Sequence, residues 1–176
     1  MELAYGAVAQ IIDMGEGTRV ELDFVDALGS SEGVLVGDTA RGFLCVLGET
    51  RSTDTYPPRP FRVNAGAIHQ YVYMGDNKTK YLSEVKAGDR IVITDGKNER
   101  LVSVGRVKIE KRPFKKIILD GGISATLQDA DSVFIMGKEN SVHFKDVKEQ
   151  EKIAYLKAEN YARHKGEAIE EEIEER

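Results

Sequence analysis

Apolar residues occur in short runs separated by breaks rich in glycine and aspartate. Over 18–25 the pattern alternates strictly, with Val20, Leu22 and Phe24 on one side and Arg19, Glu21 and Asp23 on the other. Period-two alternation predicts a half-buried strand. Gly15-Glu16-Gly17 reads as a tight connection from a preceding strand over 7–12. Segments 34–36 and 43–47 are short and apolar, joined by 37–42. Segments 71–73 and 79–81 flank Gly75-Asp76-Asn77, residues suited to a hairpin loop. The same reading pairs 91–93 with 101–104 around Asp95-Gly96, and 116–119 with 123–127 around Asp120-Gly121-Gly122. Segment 133–136 is a further strand. This succession predicts a mainly β chain: one or two small barrel-like units of short antiparallel strands and hairpins, with little helix.

A weak repeat relates 81–112 to 143–176. Leu82-Ser83-Glu84-Val85-Lys86 recurs as Phe144-Lys145-Asp146-Val147-Lys148, and Arg90-Ile91 as Lys152-Ile153. The first copy leads through Gly88-Asp89 into a strand, so 152–157 is expected to be a strand too. Local composition after Glu149 favours helix instead, with Ile169 and Ile173 spaced i,i+4. The strand is preferred for 152–157, and 167–176 is left open. The chain reads as a single compact domain, with 1–75 and 76–176 as sub-units.

Composition narrows the classes. The chain has 176 residues, 25 Lys+Arg, 30 Asp+Glu, one Cys and a formal net charge of -5. One cysteine excludes an internal disulfide framework. The net charge argues against general nucleic-acid binding, which needs a basic face. No apolar run approaches the ~20 residues that cross a bilayer, and the first residues lack a basic n-region. A cytoplasmic location with no membrane contact is expected. Basic residues gather at Arg106, Lys108, Lys111, Arg112, Lys115 and Lys116, and glutamates over 167–175. These read as solvated strand faces or as partners in a mutual salt bridge. Exposed strand edges make a homo-oligomer an expectation.

The segment RPFRVNAGAIH (59–69) follows Pro57 and Pro58 and is dense in chemistry. Arg59 and Arg62 suit a carboxylate or phosphate clamp. Asn64 offers a donor and an acceptor, and Gly66 allows close approach. His69 is the candidate acid or base near neutral pH. The competing reading is a proline-stiffened crossover whose arginines cap carbonyls. His164 lies between Arg163 and Lys165 and is a second candidate. His143 reads as a satisfied edge residue and Cys45 as a buried small hydrophobe. Glu49, Thr50, Lys80 and Glu84 are weaker polar candidates. The histidines lack metal-ligand spacing, and no GxGxxG, Walker loop or GxSxG is present.

Several blocks resemble the class II, archaeal-type 3-dehydroquinate synthase family: GVLVG (33–37), Glu49-Thr50, RPFRVNAGAIH, KTKYLSE (78–84), GRVKIEKRP (105–113), TLQDA (126–130) and ARHKG (162–166). They follow the family's order and correspond to its C-terminal half only. The loop 38–42, Asp129, Lys165 and 148–151 depart from its pattern. The resemblance implies NAD-dependent oxidative deamination of an amino-deoxy-heptulosonate and closure to 3-dehydroquinate, in aromatic amino-acid biosynthesis. It implies NAD as cofactor and a small carboxylated, sugar-like substrate. A separate subunit resembling the N-terminal half is an expected partner. Relatives of the aminohydroxybenzoate-synthase type imply a divalent metal, and a non-catalytic ligand- or partner-binding β module is the other alternative. Within the matching blocks, His69, Lys80 and His164 are the implied catalytic residues. Arg59, Arg62, Asn64, Lys108, Arg112 and Arg163 are the implied substrate contacts.

Overall fold

In the computed structural model, described over 1–158, the backbone of 163–164, and 174–176, the chain is mainly β. The described strands are β1 (Ala4–Phe24), β2 (Gly33–Gly37), β3 (Gly42–Leu47), β4 (Arg62–Ala67), β5 (Tyr71–Gly75), β6 (Lys78–Tyr81), β7 (Arg90–Thr94), β8 (Glu99–Leu119), β9 (Ser124–Gln128), β10 (Phe134–Met136), β11 (Ser141–His143), β12 (Lys152–Lys157) and β13 (Arg163–His164). They join in one network ordered β11-β10-β3-β12-β1-β8-β7-β2-β5-β6-β13, with β4 on β1 and β9 on β8. Every described pairing is antiparallel except β13 with β6. No described helix is long and apolar enough to cross a membrane.

The frame is the pair β1 and β8, each 21 residues long. The predicted turn at Gly15-Glu16-Gly17 is instead a bulge inside β1. The β1–β8 register shifts between Asp13 and Gly15, and Gly15 takes φ 68°, where the missing Cβ removes the usual penalty. Segments 101–104 and 116–119, read as separate strands, are the two ends of β8. Its N-terminal end pairs with β7 and its C-terminal end with β9. The hairpin prediction at 75–77 holds: Asp76 and Asn77 have φ of 51° and 59°, as a two-residue turn between twisted strands requires.

The repeat appears as local structure. Leu82–Glu84 and Phe144–Asp146 are single 3₁₀ turns, each burying its first residue. Gly88 at φ 94° in one copy is matched by Gln150 at φ 75° in the other. Each turn leads into a strand, β7 or β12, so pairing overrode helix propensity over 152–157. Residues 167–173 lie outside the described residues.

The main core lies between the strand layers and includes Val20, Leu22, Val36, Leu44, Ile91, Ile117, Leu127 and Ile153. A smaller cluster around Leu35, Phe43, Cys45 and Leu47 sits on the other side of β2 and β3. Strands β2, β3, β4 and β9 are buried at every position. The expected half-burial of 18–25 fails at the polar side: Arg19, Glu21 and Asp23 are as buried as their apolar neighbours. The reason is long-range. β4 and β8 flank β1 with side chains of complementary charge, so its polar face closes into an ionic layer.

Candidate functional site

The ionic layer follows from register. Asp23 lies between Arg62 of β4 and Arg106 of β8, and Glu21 between Asn64 and Lys108. Arg19 lies opposite Glu110. Side chains directly opposite across antiparallel strands share a face, so charges alternate across three strands. Arg62 donates to both Asp23 oxygens, at 2.8 and 3.1 Å. Arg106 donates to Asp23 at 2.8 Å from an exposed position. Arg62 also lies 3.3 Å from Glu21. Lys108 lies 4.0 and 3.9 Å from Glu21 and Glu110, and Arg112 pairs with Glu110. Burial alone would raise the Asp23 carboxyl. The hydrogen bonds from Arg62 and Arg106 outweigh it and hold the group below its ordinary value.

β9 carries a second polar stripe. Its alternation sends Ala125 and Leu127 into the core, and Ser124, Thr126 and Gln128, all buried, to the other side. Gln128 Oε1 accepts from Arg19 Nη1 at 2.8 Å and from Asn64 Nδ2 at 2.7 Å. Arg19 Nε and Asn64 Oδ1 remain buried without partners. Two positions along the strand, ~7 Å away, Thr126 Oγ1 donates to Asp38 at 2.7 Å, and Ser124 Oγ donates to its other oxygen at 2.8 Å. His69 Nε2 meets the same carboxylate at 2.7 Å, with its side chain 53% exposed.

Burial pushes the Asp38 carboxyl up, but hydrogen bonds from His69, Thr126 and Ser124 outweigh it and hold it low. Asp38 is therefore an ionised acceptor. Its contact with Nε2 orients the His69 ring and leaves Nδ1 outside this pair. A half-exposed imidazole oriented by a buried carboxylate is a proton-transfer arrangement. Gly66, at φ 98°, makes it buildable: a Cβ there would run into the Thr126 carbonyl and lie 2.6 Å from Gln70 Nε2.

The sequence-predicted residues thus fall into separate groups. Arg62, Asn64, Lys108 and Arg112 share the ionic layer. Arg62 is held by this chain's own carboxylates, and Asn64 by Gln128. Arg59 is spent on Glu49, with Nε and Nη2 both on Oε1 at 3.1 and 2.7 Å; Glu49 Oε2 is left buried without a partner. Burial raises the Glu49 carboxyl, despite Arg59. Lys80 pairs with Asp89 at 2.9 Å. For Arg163 and His164 the backbone lies beside Lys78 and Thr79 of β6. The side chains of Arg163 and His164 lie outside the description. His143 is satisfied, between Asp146 at 3.0 Å and the Asp131 carbonyl at 2.8 Å. Cys45 is fully buried, and burial pushes its thiol up to about 12. The basic run finds its partners in Asp23, Glu21, Glu110 and, for Lys115, Asp129.

Sequence reading missed Asp38, Ser124, Thr126, Gln128 and the buried role of Arg19, Glu21 and Asp23. The alternation of polar residues in SATLQ, flanking buried Ala and Leu, was the available signal. Among the described residues, no group of three or more His, Cys, Asp or Glu could hold a metal ion.

A family model, the 3-dehydroquinate synthase II C-terminal domain, matches residues 5–176. The chain is 39% identical over 177 residues to a 3-dehydroquinate synthase of Methanosarcina barkeri, covering 98% of this chain and 46% of that protein. A protein of the same name from Methanococcus maripaludis strain C5 is 38% identical over 181 residues, covering 100% and 50%. One from Methanocaldococcus jannaschii is 40% identical over 176 residues, covering 97% and 48%. The chain spans about half the length of the curated relatives it matches. No solved structure matches it.

Proposed function

This chain belongs to the 3-dehydroquinate synthase II family, as its C-terminal domain, and from that premise we propose that it handles the substrate of a 3-dehydroquinate synthase reaction. The reaction is oxidative deamination of an amino-deoxy-heptulosonate followed by ring closure to 3-dehydroquinate, serving aromatic amino-acid biosynthesis in the cytoplasm. The observation that supports this most is the His69–Asp38 pair, whose histidine closes the RPFRVNAGAIH block. Ring closure needs a proton removed from carbon beside a carbonyl and one delivered to the new hydroxyl. His69 Nδ1 is the base on this reading, and Asp38 keeps the ring oriented and stabilises its protonated form. Buried Ser124 and Thr126 hold Asp38 in turn.

NAD, if bound, would supply the hydride acceptor for the deamination. A dinucleotide pyrophosphate is commonly seated on backbone N–H groups at a helix N-terminus behind a glycine-rich turn. Among the described residues the only helical segments are two 3₁₀ turns of three residues each. These residues do not fit such a seat. We assign the hydride acceptor to a module corresponding to the remainder of the relatives, in a separate subunit or the same polypeptide.

The test is NADH formation from the amino-deoxy-heptulosonate, with this chain alone and with that module. His69→Ala should lower kcat by roughly 10²–10⁴ while the fold persists. No turnover in either setting overturns the reading. A non-catalytic binding module is the second reading, favoured by the neutralisation of Arg59 and Arg62 by Glu49 and Asp23. It predicts that His69→Ala leaves ligand binding and assembly unchanged.

A further inference from the structure

The arginines of the 59–69 block are paired internally, so a substrate carboxylate needs another seat. One carboxylate already marks a place. Glu175 Oε1 accepts the Ala40 N–H at 2.9 Å, in a part-buried position. The Tyr71 hydroxyl hydrogen-bonds the same side chain. Ala40 is two residues beyond Asp38, and Tyr71 two residues beyond His69. The β2–β5 register, pairing Gly37 with Tyr71, holds these two stretches side by side. The Asp38–His69 pair and the Ala40–Tyr71 pair are therefore neighbours across one junction. The Tyr71 ring stacks on Tyr81 at 4.9 Å between centroids, and its hydroxyl also hydrogen-bonds the Tyr81 side chain, which holds it in place. Arg41, in the same loop, adds positive charge and lies against Gly122, close to Ser124 in sequence.

We propose that the Ala40 amide and the Tyr71 hydroxyl form the seat for the carboxylate of a small hydroxylated organic acid beside His69, and that Glu175 fills this seat when no ligand is bound. The proposal deepens the functional reading above by naming the group the site holds. A backbone N–H and a phenolic O–H are both donors, and neither is neutralised by an internal cation–anion pair, so a ligand anion replaces Glu175 donor for donor. Seated there, the acid presents its carbon skeleton toward His69. Glu175 belongs to the same chain and so competes with a ligand anion intramolecularly.

The test titrates the full chain with quinate, a hydroxylated ring carboxylate, and follows backbone amide and histidine resonances by NMR. Quinate should shift the Ala40 amide and His69, and methyl quinate, which lacks the charge, should not. Glu175→Ala should tighten quinate binding about tenfold, and Tyr71→Phe should weaken it about tenfold, the size of one charge-assisted hydrogen bond. Glu174→Ala is the control and should change nothing. Retained dispersion of the spectra shows that each variant is folded. Equal affinity in the wild type, Glu175→Ala and Tyr71→Phe overturns the seat. So does a shift pattern centred on Lys108 and Arg106, or the absence of quinate binding to Glu175→Ala. Binding is read without turnover, so an inactive enzyme with quinate at Ala40 refutes the reaction and keeps the seat. Turnover whose KM ignores Tyr71→Phe refutes the seat and keeps the reaction.

Discussion

Replacing Asp23 with Asn tests whether the block's arginines are structural. Asp23 is 3% exposed and accepts two hydrogen bonds from Arg62 and one from Arg106. Breaking a buried pair by neutralising one member costs about 3–5 kcal/mol, because the remaining charge stays buried. Asn keeps the shape and one acceptor, and Glu21 still lies 3.3 Å from Arg62, so about 3 kcal/mol is expected. Arg106 has a side chain 62% exposed, and Arg106→Ala should cost at most about 1 kcal/mol. With a urea slope of about 2 kcal/mol/M, Asp23→Asn should lower the unfolding midpoint by about 1.5 M and leave the slope unchanged. The Asp23 carboxyl is held low by Arg62 and Arg106. Its contribution is complete above the unfolded value of about 3.9 and fades as pH falls through the lower folded value. The gap between wild type and Asp23→Asn should therefore close below about pH 4. A loss under 1 kcal/mol, or Arg106→Ala matching Asp23→Asn, would refute the buried-pair argument.

Gly66→Ala meets both a positive φ of 98° and the Thr126 carbonyl; a loss of more than about 2 kcal/mol is expected by thermal or urea unfolding. Asp38→Ala leaves the Ser124 and Thr126 hydroxyls without their acceptor, and should cost about 2–3 kcal/mol. Gln128→Ala removes the acceptor of the buried Asn64 amide and leaves Arg19 Nη1 with only Glu21 at 3.5 Å, and should cost about 2 kcal/mol in the same unfolding assay. Cys45, buried with its thiol pushed up to about 12, should react with a thiol reagent only at the rate of unfolding.

Strand identity was largely legible because it is local. The alternation at 18–25, the Asp76-Asn77 turn and the repeat of 82–86 at 144–148 each depend on a few adjacent residues. Two misreadings share a cause. Gly15 in β1 and the stretch 105–115 in β8, with Gly105 and Pro113, carry ordinary break signals, yet pairing between β1 and β8 runs through both. Backbone hydrogen bonds along a long partner outweigh a local preference for turning. The burial of Arg19, Glu21 and Asp23 was illegible for a related reason, since an isolated polar face belongs in water.

The sequence by itself determined that this is a β chain of the 3-dehydroquinate synthase II family, and it drew attention to 59–69. Only the tertiary structure decided which residues of that block are available. Arg59 and Arg62 are committed to Glu49 and Asp23, whereas His69 is turned outward on Asp38. Asp38 enters through the loop after β2, and Gln128 through a strand far along the chain. Charges pair by register and proximity across strands, quantities that no local pattern encodes.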